Sequence, residues 1–455
     1  MRTALTFLTA GAAAALSGCA ALQADKAVRV ATGLTSELVC SGTFISGLPP
    51  ERSFDELVLT MPGMGLVGWA LAYQVDRRHR EVTASVAGGF TSRAAYREGL
   101  GCVLGPGGDT PAALPMPPLP AALVPDIAGP QVVAATPPAL AAAVDRAFEA
   151  PGQRTRAIVV LHQGRVVAER YAEGIGPDTP LIGFSMTKSV LNALAGLLVR
   201  DGRLQLHQPV PLAAWAGGQD ARHAITPDQL LRQVSGLDMP QANSGFDITA
   251  QIMFTEPDTA AAAARLPLAA APGTRWNYSD GHYQLLSRVL RDAAGGGRAD
   301  LPAYAARELF GPLGMRHASF NTDASGTPVG AFGLQASARD WARFGQLYLA
   351  DGMAGGRRLL PAGWVRYSTT PTLDTGYGAG WWLNPPGEVP GWGIPWGLPH
   401  APRDTFFARG YRGQFTIVVP SRQLVIVCLA AADMTPLHVA VADRLVADVL
   451  AALQP

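Results

Sequence analysis

Residues 183–194 read "GFSMTKSVLNAL", and the fold turns on what Ser185 and Lys188 do at the head of that apolar run. The spacing predicts a helix over 185–200, closed by "RDGRL" with Gly202 in the usual C-terminal position. On a helix, positions i and i+3 share a face, so the hydroxyl and the amine fall within hydrogen-bond reach. Ser185 sits in the first turn, where free backbone N–H groups and the helix dipole favour developing negative charge. A serine hydroxyl is a poor nucleophile until a neighbouring base takes its proton. The pattern alone does not decide the matter, because serine is a preferred N-cap and lysine an ordinary exposed helix residue. Its context does: "SVLNALAGLLV" carries no charge, so the helix is buried and Lys188 enters an apolar core where an unpartnered ammonium is costly.

Two later stretches bear on the same chemistry. In "PGTRWNYSDGHYQLLSRVL" (272–290), a Pro-Gly turn and an aromatic edge deliver Tyr278, Ser279 and Asp280 just before a helix of apolar period. A phenol held beside an ammonium can serve as a base for Ser185. The plainer alternative is a buried ring at Tyr278 and an N-cap at Asp280. In "FFARGYRGQFTIVVP" (406–420), a strand is interrupted by Gly410 and Gly413, which let a backbone or ligand approach closely. An edge strand there can lend a second N–H to an oxyanion, the first coming from Ser185. A glycine bulge in a plain strand is the competing interpretation.

In chain order, Ser185-x-x-Lys188, Tyr278-Ser279-Asp280 and Ala408-Arg409-Gly410 resemble motifs of the serine β-lactamase and penicillin-binding-protein superfamily, in particular its class C β-lactamase-like esterases and aminohexanoate-oligomer hydrolases. The stretches "ITPDQLLRQVSGLD", "ELFGPLGMRHASFNTD", "GLQASARDWARFGQLYLADG" and "GYGAGWWLN" are similar to the same superfamily, so the likeness covers 139–455 and not what precedes it. The resemblance implies an α+β, β-lactamase/transpeptidase-like fold. It also implies that Ser185 is the acylated nucleophile, Lys188 its activating partner, and Tyr278 the general base and later proton donor to the leaving group. Tyr411, after Gly410, would offer its backbone N–H to the oxyanion beside that of Ser185. This chain departs from the family in two places. Asp280 stands where Asn is common, and a carboxylate there would hold Lys188 as an ammonium and leave proton removal to Tyr278. Ala408 stands where lactamases have the lysine of Lys-Thr-Gly; Arg409 is next to it, but strand alternation leaves its direction open. Weak or absent lactamase activity is therefore expected, with ester or amide hydrolysis preferred.

The rest of the chain organises around that domain. Residues 28–104 contain stretches expected to be extended, "ELVCSGTFISG", "ELVLTM" and "EVTASVAGGF", which suggest a small N-terminal module over 20–104. Residues 105–138 are rich in Pro, Gly and Ala, as expected of a linker or a surface crossover. From 139 onward, "ALAAAVDRAFEA" has helical spacing, and "RAIVVLHQGRVVAERYAEG" reads as a hairpin around Gln163-Gly164. "QFTIVVPSRQLVIVCLAA" gives two more strands and "PLHVAVADRLVADVLAAL" a final amphipathic helix. Strands at both ends with helices between them predict one antiparallel sheet flanked by helices, with a helical subdomain inserted. Trp381, Trp382, Trp392 and Trp396 fall in a Gly- and Pro-rich stretch too irregular for regular structure, so they either wall an apolar pocket or staple a loop to the sheet.

Lys and Arg (36) balance Asp and Glu (35), so no overall field recruits nucleic acid. The start, "MRTALTFLTAGAAAALSGCA", reads as a signal peptide over 1–19 ending in a lipobox, with Cys19 as the acylated residue. That predicts an exported protein of the cell envelope, anchored to the outer membrane by lipid alone. Of the remaining cysteines, Cys40 and Cys102 are expected to pair, while Cys428 lies in an apolar strand-like run suited to a buried thiol. The scattered histidines offer no metal-ligand pair, so neither a metal nor an organic cofactor is expected. The expected activity is serine hydrolysis of a small-molecule ester or amide. A cell-wall peptidase or carboxypeptidase, a weak β-lactamase and a silent envelope binding module are the alternatives; "GFSMT" is not the G-x-S-x-G of an α/β-hydrolase.

Overall fold

The computed structural model describes residues 24–105, 110–217, 220–242, 244–433 and 436–453. The expected leader and Cys19 lie outside the described residues. Helix α1 (Ala24–Cys40) comes first and continues as a wider helical turn through Ile45. Strands β1 (Leu71–Asp76), β2 (Glu81–Val86), β3 (Gly89–Arg97) and β4 (Gly101–Gly105) then form an antiparallel meander. Only the third of the expected extended stretches is a strand. "ELVCSGTFISG" lies in α1 and the turn after it, and the helical turn Phe54–Val58 takes in the start of the second. The reason is packing: α1 lies across β2 and β3, burying Val39 and Cys40 with Val82 and Ala94, while its Ala31 and Leu38 join the main core. Tertiary burial overrides the strand preference of a β-branched run.

The main domain runs through helix α2 (Pro138–Phe148), strands β5 (Thr155–His162) and β6 (Arg165–Tyr171), and helices α3 (Thr187–Arg200), α4 (Ile248–Thr255) and α5 (Asp280–Ala294). It continues with strand β7 (Thr322–Asp323), helix α6 (Ala338–Leu349), strands β8 (Trp382–Leu383), β9 (Phe406–Gly410), β10 (Gln414–Val419) and β11 (Leu424–Ala430), and ends in helix α7 (Leu437–Ala452). The sheet order is β8-β9-β10-β11-β5-β6, antiparallel throughout, so the first and last strands of the domain meet as β5 and β11. Gln163 and Gly164 both have positive φ, the conformation a two-residue hairpin needs to join β5 to β6.

Every residue of β11 is buried, because the sheet is covered on both faces. Alternation along the strands sends Ile158, Val160 and Ile426 toward α2 and α7, and Val159, Leu161 and Val427 toward α3 and α6. At Gly345 of α6 a Cβ would come within 2.6 Å of Val425, so glycine lets this helix sit directly on the sheet.

The N-terminal segment shares that core. Its meander is extended by β7, which pairs parallel with β4. Asn321 accepts from the Cys102 N–H (3.1 Å) and donates to Glu37 (3.2 Å) and Ser41 (2.9 Å), bridging β4 and α1. A disulfide joins Cys40 to Cys102, and Cys428 is free and buried. The Pro-rich crossover lies along β6: Val166 N–H donates to Ile127 (2.9 Å), and Arg339 of α6 donates to the carbonyls of Gly129 and Gln131 (both 2.8 Å).

Because the disulfide spans 62 residues of chain, replacing both cysteines (Cys40→Ala with Cys102→Ala) relaxes the unfolded ensemble. The double variant is expected to lose about 2–5 kcal/mol, read as a lower urea midpoint than the parent.

Candidate active site

The turn that carries Ser185 is built by neighbours that hold a strained backbone. Phe184 has φ of 45°, a region a bulky residue rarely occupies, and Ser185 follows in a short 3₁₀ turn over Phe184–Met186. The α-helix proper starts at Thr187, two residues later than its spacing predicts. Thr187 fixes the turn by donating to the Phe184 carbonyl (2.7 Å) and accepting from Leu334 N–H (3.1 Å). Gly183 is required because a Cβ there would meet the Trp341 ring at 2.4 Å.

Lys188, one turn on, is only 1% exposed. Its ammonium donates to Ser185 Oγ (3.0 Å), Asp280 Oδ1 (2.6 Å) and the Ala331 carbonyl (2.9 Å), three acceptors for three hydrogens. The ring centroid of Tyr278 lies 5.0 Å from the same nitrogen. The sequence motifs from residues 185, 188, 278 and 280 therefore converge on one ammonium.

The Tyr278 loop is held by two glutamines that no motif singles out. Gln233 accepts from Ser279 N–H (2.6 Å), and its backbone carbonyl accepts from Asn277 N–H (3.0 Å). Gln241 accepts from Asp280 N–H (2.6 Å) and donates to Asp280 Oδ2 (3.1 Å), so both ends of Asp280 are gripped. Around the Tyr278 ring stand Trp382 and Trp392 (centroids 5.4 Å each) and Tyr377 (5.7 Å). The four tryptophans thus divide between both expected roles. Trp382 and Trp392 line the cavity, Trp396 packs on Trp276, and Trp381 is wholly buried against Phe344. Contrary to the sequence expectation of an irregular stretch, Trp382 is in β8, paired with Phe407.

Strand β9 closes the site. It ends at Gly410, and a turn through Gly413 leads to β10, so the expected interrupted strand is a hairpin. At Gly410 a Cβ would stand 2.2 Å from the Gly183 carbonyl, so glycine brings the strand against the turn that carries Ser185. Ser185, Tyr278, Asp280, Gly410 and Tyr411 all border one cavity of about 820 Å³. Arg409 borders it too. Its guanidinium lies over Trp382 (5.2 Å) and 3.4 Å from His438 Nε2, and among the described residues no carboxylate pairs with it. Burial pushes the Arg409 guanidinium down to about 10. Among the described residues, no three His, Cys, Asp or Glu side chains gather to hold a metal.

Comparison with known proteins agrees with this architecture. The family model "Beta-lactamase" matches residues 141–451. The chain belongs to the beta-lactamase family. A 6-aminohexanoate-dimer hydrolase of Paenarthrobacter ureafaciens is 25% identical over 281 residues, 53% of this chain and 67% of that relative. A penicillin-binding-protein homologue from Caulobacter crescentus superposes with a TM-score of 0.54 at 18% identity, over 71% of this chain and 100% of that one. EstCE1, a hydrolase with promiscuous acyltransferase activity, gives 0.52 at 16% identity over 68% and 98%. These structures bear on the fold, which is α+β and β-lactamase/transpeptidase-like. In this beta-lactamase-family chain, residues 24–105 precede the match, and part of that segment, between Ala24 and Val67, nevertheless borders the cavity.

Burial by itself would lower the Lys188 pKa, but the charges of Asp280 and Tyr278 and the hydrogen bond to Asp280 outweigh it and hold it above the ordinary 10.5. The ion pair therefore stabilises the fold fully below about 10.5 and is lost as pH rises through the higher folded value. With Asp280→Asn, desolvation is less opposed and the Lys188 pKa falls. The alkaline limb of the kcat/KM profile is expected to move to lower pH, measured on a chromogenic ester.

Burial also pushes His282 and His438 down to about 3 from 6.5, with Arg409 adding to the effect on His438. Each is neutral when folded and takes a proton when unfolded, so its contribution is present above about 6.5 and lost as pH falls toward 3. Urea midpoints are expected to fall steadily across that window.

Proposed function

We propose that the chain hydrolyses ester or amide bonds through an acyl-enzyme on Ser185. One observation carries this reading: Lys188 already donates all its hydrogens, one of them to Ser185 Oγ, so it polarises the hydroxyl without receiving its proton. Tyr278, whose ring centroid lies 5.0 Å from that ammonium, is the remaining base. In the first half-reaction Tyr278 takes the serine proton as Oγ attacks the substrate carbonyl. The oxyanion forms against the backbone amides of Ser185 and Tyr411. Tyr278 then returns the proton to the departing alcohol or amine. Water attacks the acyl-serine by the same exchange in reverse and releases the acid. The relative named a 6-aminohexanoate-dimer hydrolase supports hydrolysis as the reaction class.

A second reading, peptidase or weak β-lactamase, is favoured by Arg409. An unpaired buried guanidinium beside the reacting groups gives a substrate carboxylate a place to bind. Against it stands Ala408, buried and uncharged where lactamases carry lysine. Ester turnover well above cephalosporin turnover decides for the first reading.

A fluorophosphonate probe is expected to label the protein and not its Ser185→Ala variant; equal labelling of both would remove Ser185 from the mechanism. Lys188→Ala and Tyr278→Phe are each expected to lower kcat for an aryl ester by roughly 10²–10⁴-fold.

A further inference from the structure

The cavity is far larger than an acetyl group needs, and its composition is uneven. Asp280 and Arg409, its two charged lining residues, stand where the nucleophile is. Away from them, one side of the wall is supplied by the segment that precedes the family match and another by residues 241–254 within it. Ala24, Ala27, Val28, Ala31, Leu34 and Leu38 recur at helical spacing, so α1 turns one apolar stripe into the cavity. Asp25, Lys26 and Arg29, between those positions, are exposed and do not line it. Opposite stand Met61, Met64 and Met253, unbranched and polarisable side chains that conform to a flexible ligand. Gly33 lets this wall close, since a Cβ there would lie 2.5 Å from the Phe254 carbonyl at the end of α4. At the rim, Leu66 (74% exposed), Phe246 (49%) and Trp392 (42%) offer apolar surface to solvent.

We infer that this arm binds the aliphatic chain of the acyl group that is transferred to Ser185, making the chain selective for medium- and long-chain acyl esters or amides. The inference rests on the acyl-enzyme reading above and names its substrate class. Three features favour an aliphatic chain over other occupants. The arm is continuous with Ser185, so a chain lying in it has its carbonyl at the nucleophile. It carries no charged side chain for a peptide or sugar to pair with. Its walls are mainly methionine, leucine, valine and alanine, with Phe246, Phe254 and Phe332 among them and Gln241, Ser244 and Thr249 as uncharged polar exceptions, rather than a flat aromatic slot. Leu34 and Ala27, half-buried on α1, then set the usable length of the arm.

The test is a series of p-nitrophenyl esters from acetate through butyrate and octanoate to laurate, below their critical micelle concentrations, with the full chain. The expected kcat/KM rises roughly threefold to fourfold per methylene over the shorter members, the factor for burying one CH₂ group. Filling the arm (Ala27→Trp) or making it polar (Leu34→Gln) is expected to lower the octanoate-to-acetate ratio of kcat/KM at least about tenfold, the worth of two methylenes. Thermal melts of both variants report whether folding, rather than the arm, is responsible. A flat series, or phenylacetate ester turned over faster than octanoate, with fluorophosphonate labelling of Ser185 intact, would overturn this inference and leave the acyl-enzyme reading standing. No labelling and no ester turnover would overturn both. Variants that melt like the parent yet keep its octanoate-to-acetate ratio would show that α1 does not contact the acyl chain.

Discussion

A buried ammonium must be surrounded by acceptors, and Lys188 draws its three from three distant parts of the chain: the turn just before it, the loop at the head of α5, and the segment leading into α6. Each acceptor is itself held. Ser185 is set by the Thr187 and Leu334 contacts, and Asp280 by the grip of Gln241. The cation therefore fixes the relative positions of the Ser185 turn, the head of α5 and the segment leading into α6. Removing a single acceptor leaves a costly unpaired charge in an apolar interior.

Much of this was legible in the chain itself, for reasons that differ by residue. Ser185 and Lys188 stand three apart on a helix, and local spacing is what a sequence displays most openly. The β5–β6 and β10–β11 hairpins announce themselves through turn residues between strand-forming runs. Gln233 and Gln241 were not legible, since each acts through tertiary contact and a polar residue in a loop carries no mark of its partner. The direction of Arg409 was equally hidden, because alternation along a strand leaves two faces open until a neighbour is known.

The misread segment is the instructive one. "ELVCSGTFISG" is β-branched and apolar, and without knowledge of its surroundings it suits a strand. It becomes the end of α1 because a sheet lies beneath it and α4 beside it, so two sides of a cylinder are buried at once. The tryptophan-rich stretch shows the same limit, since its glycines and prolines conceal the two residues of β8 that extend the central sheet.

The central sheet closes only when β11 slots between β10 and β5, and these partners are separated by most of the domain's length. During synthesis β5 emerges early and must wait, its outer edge unpaired, until residues near 430 leave the ribosome. Such long-range closure slows folding and leaves a sticky template open in the interval. The cell that makes this protein therefore has to shelter a half-built sheet for more than half of the time the chain is being translated.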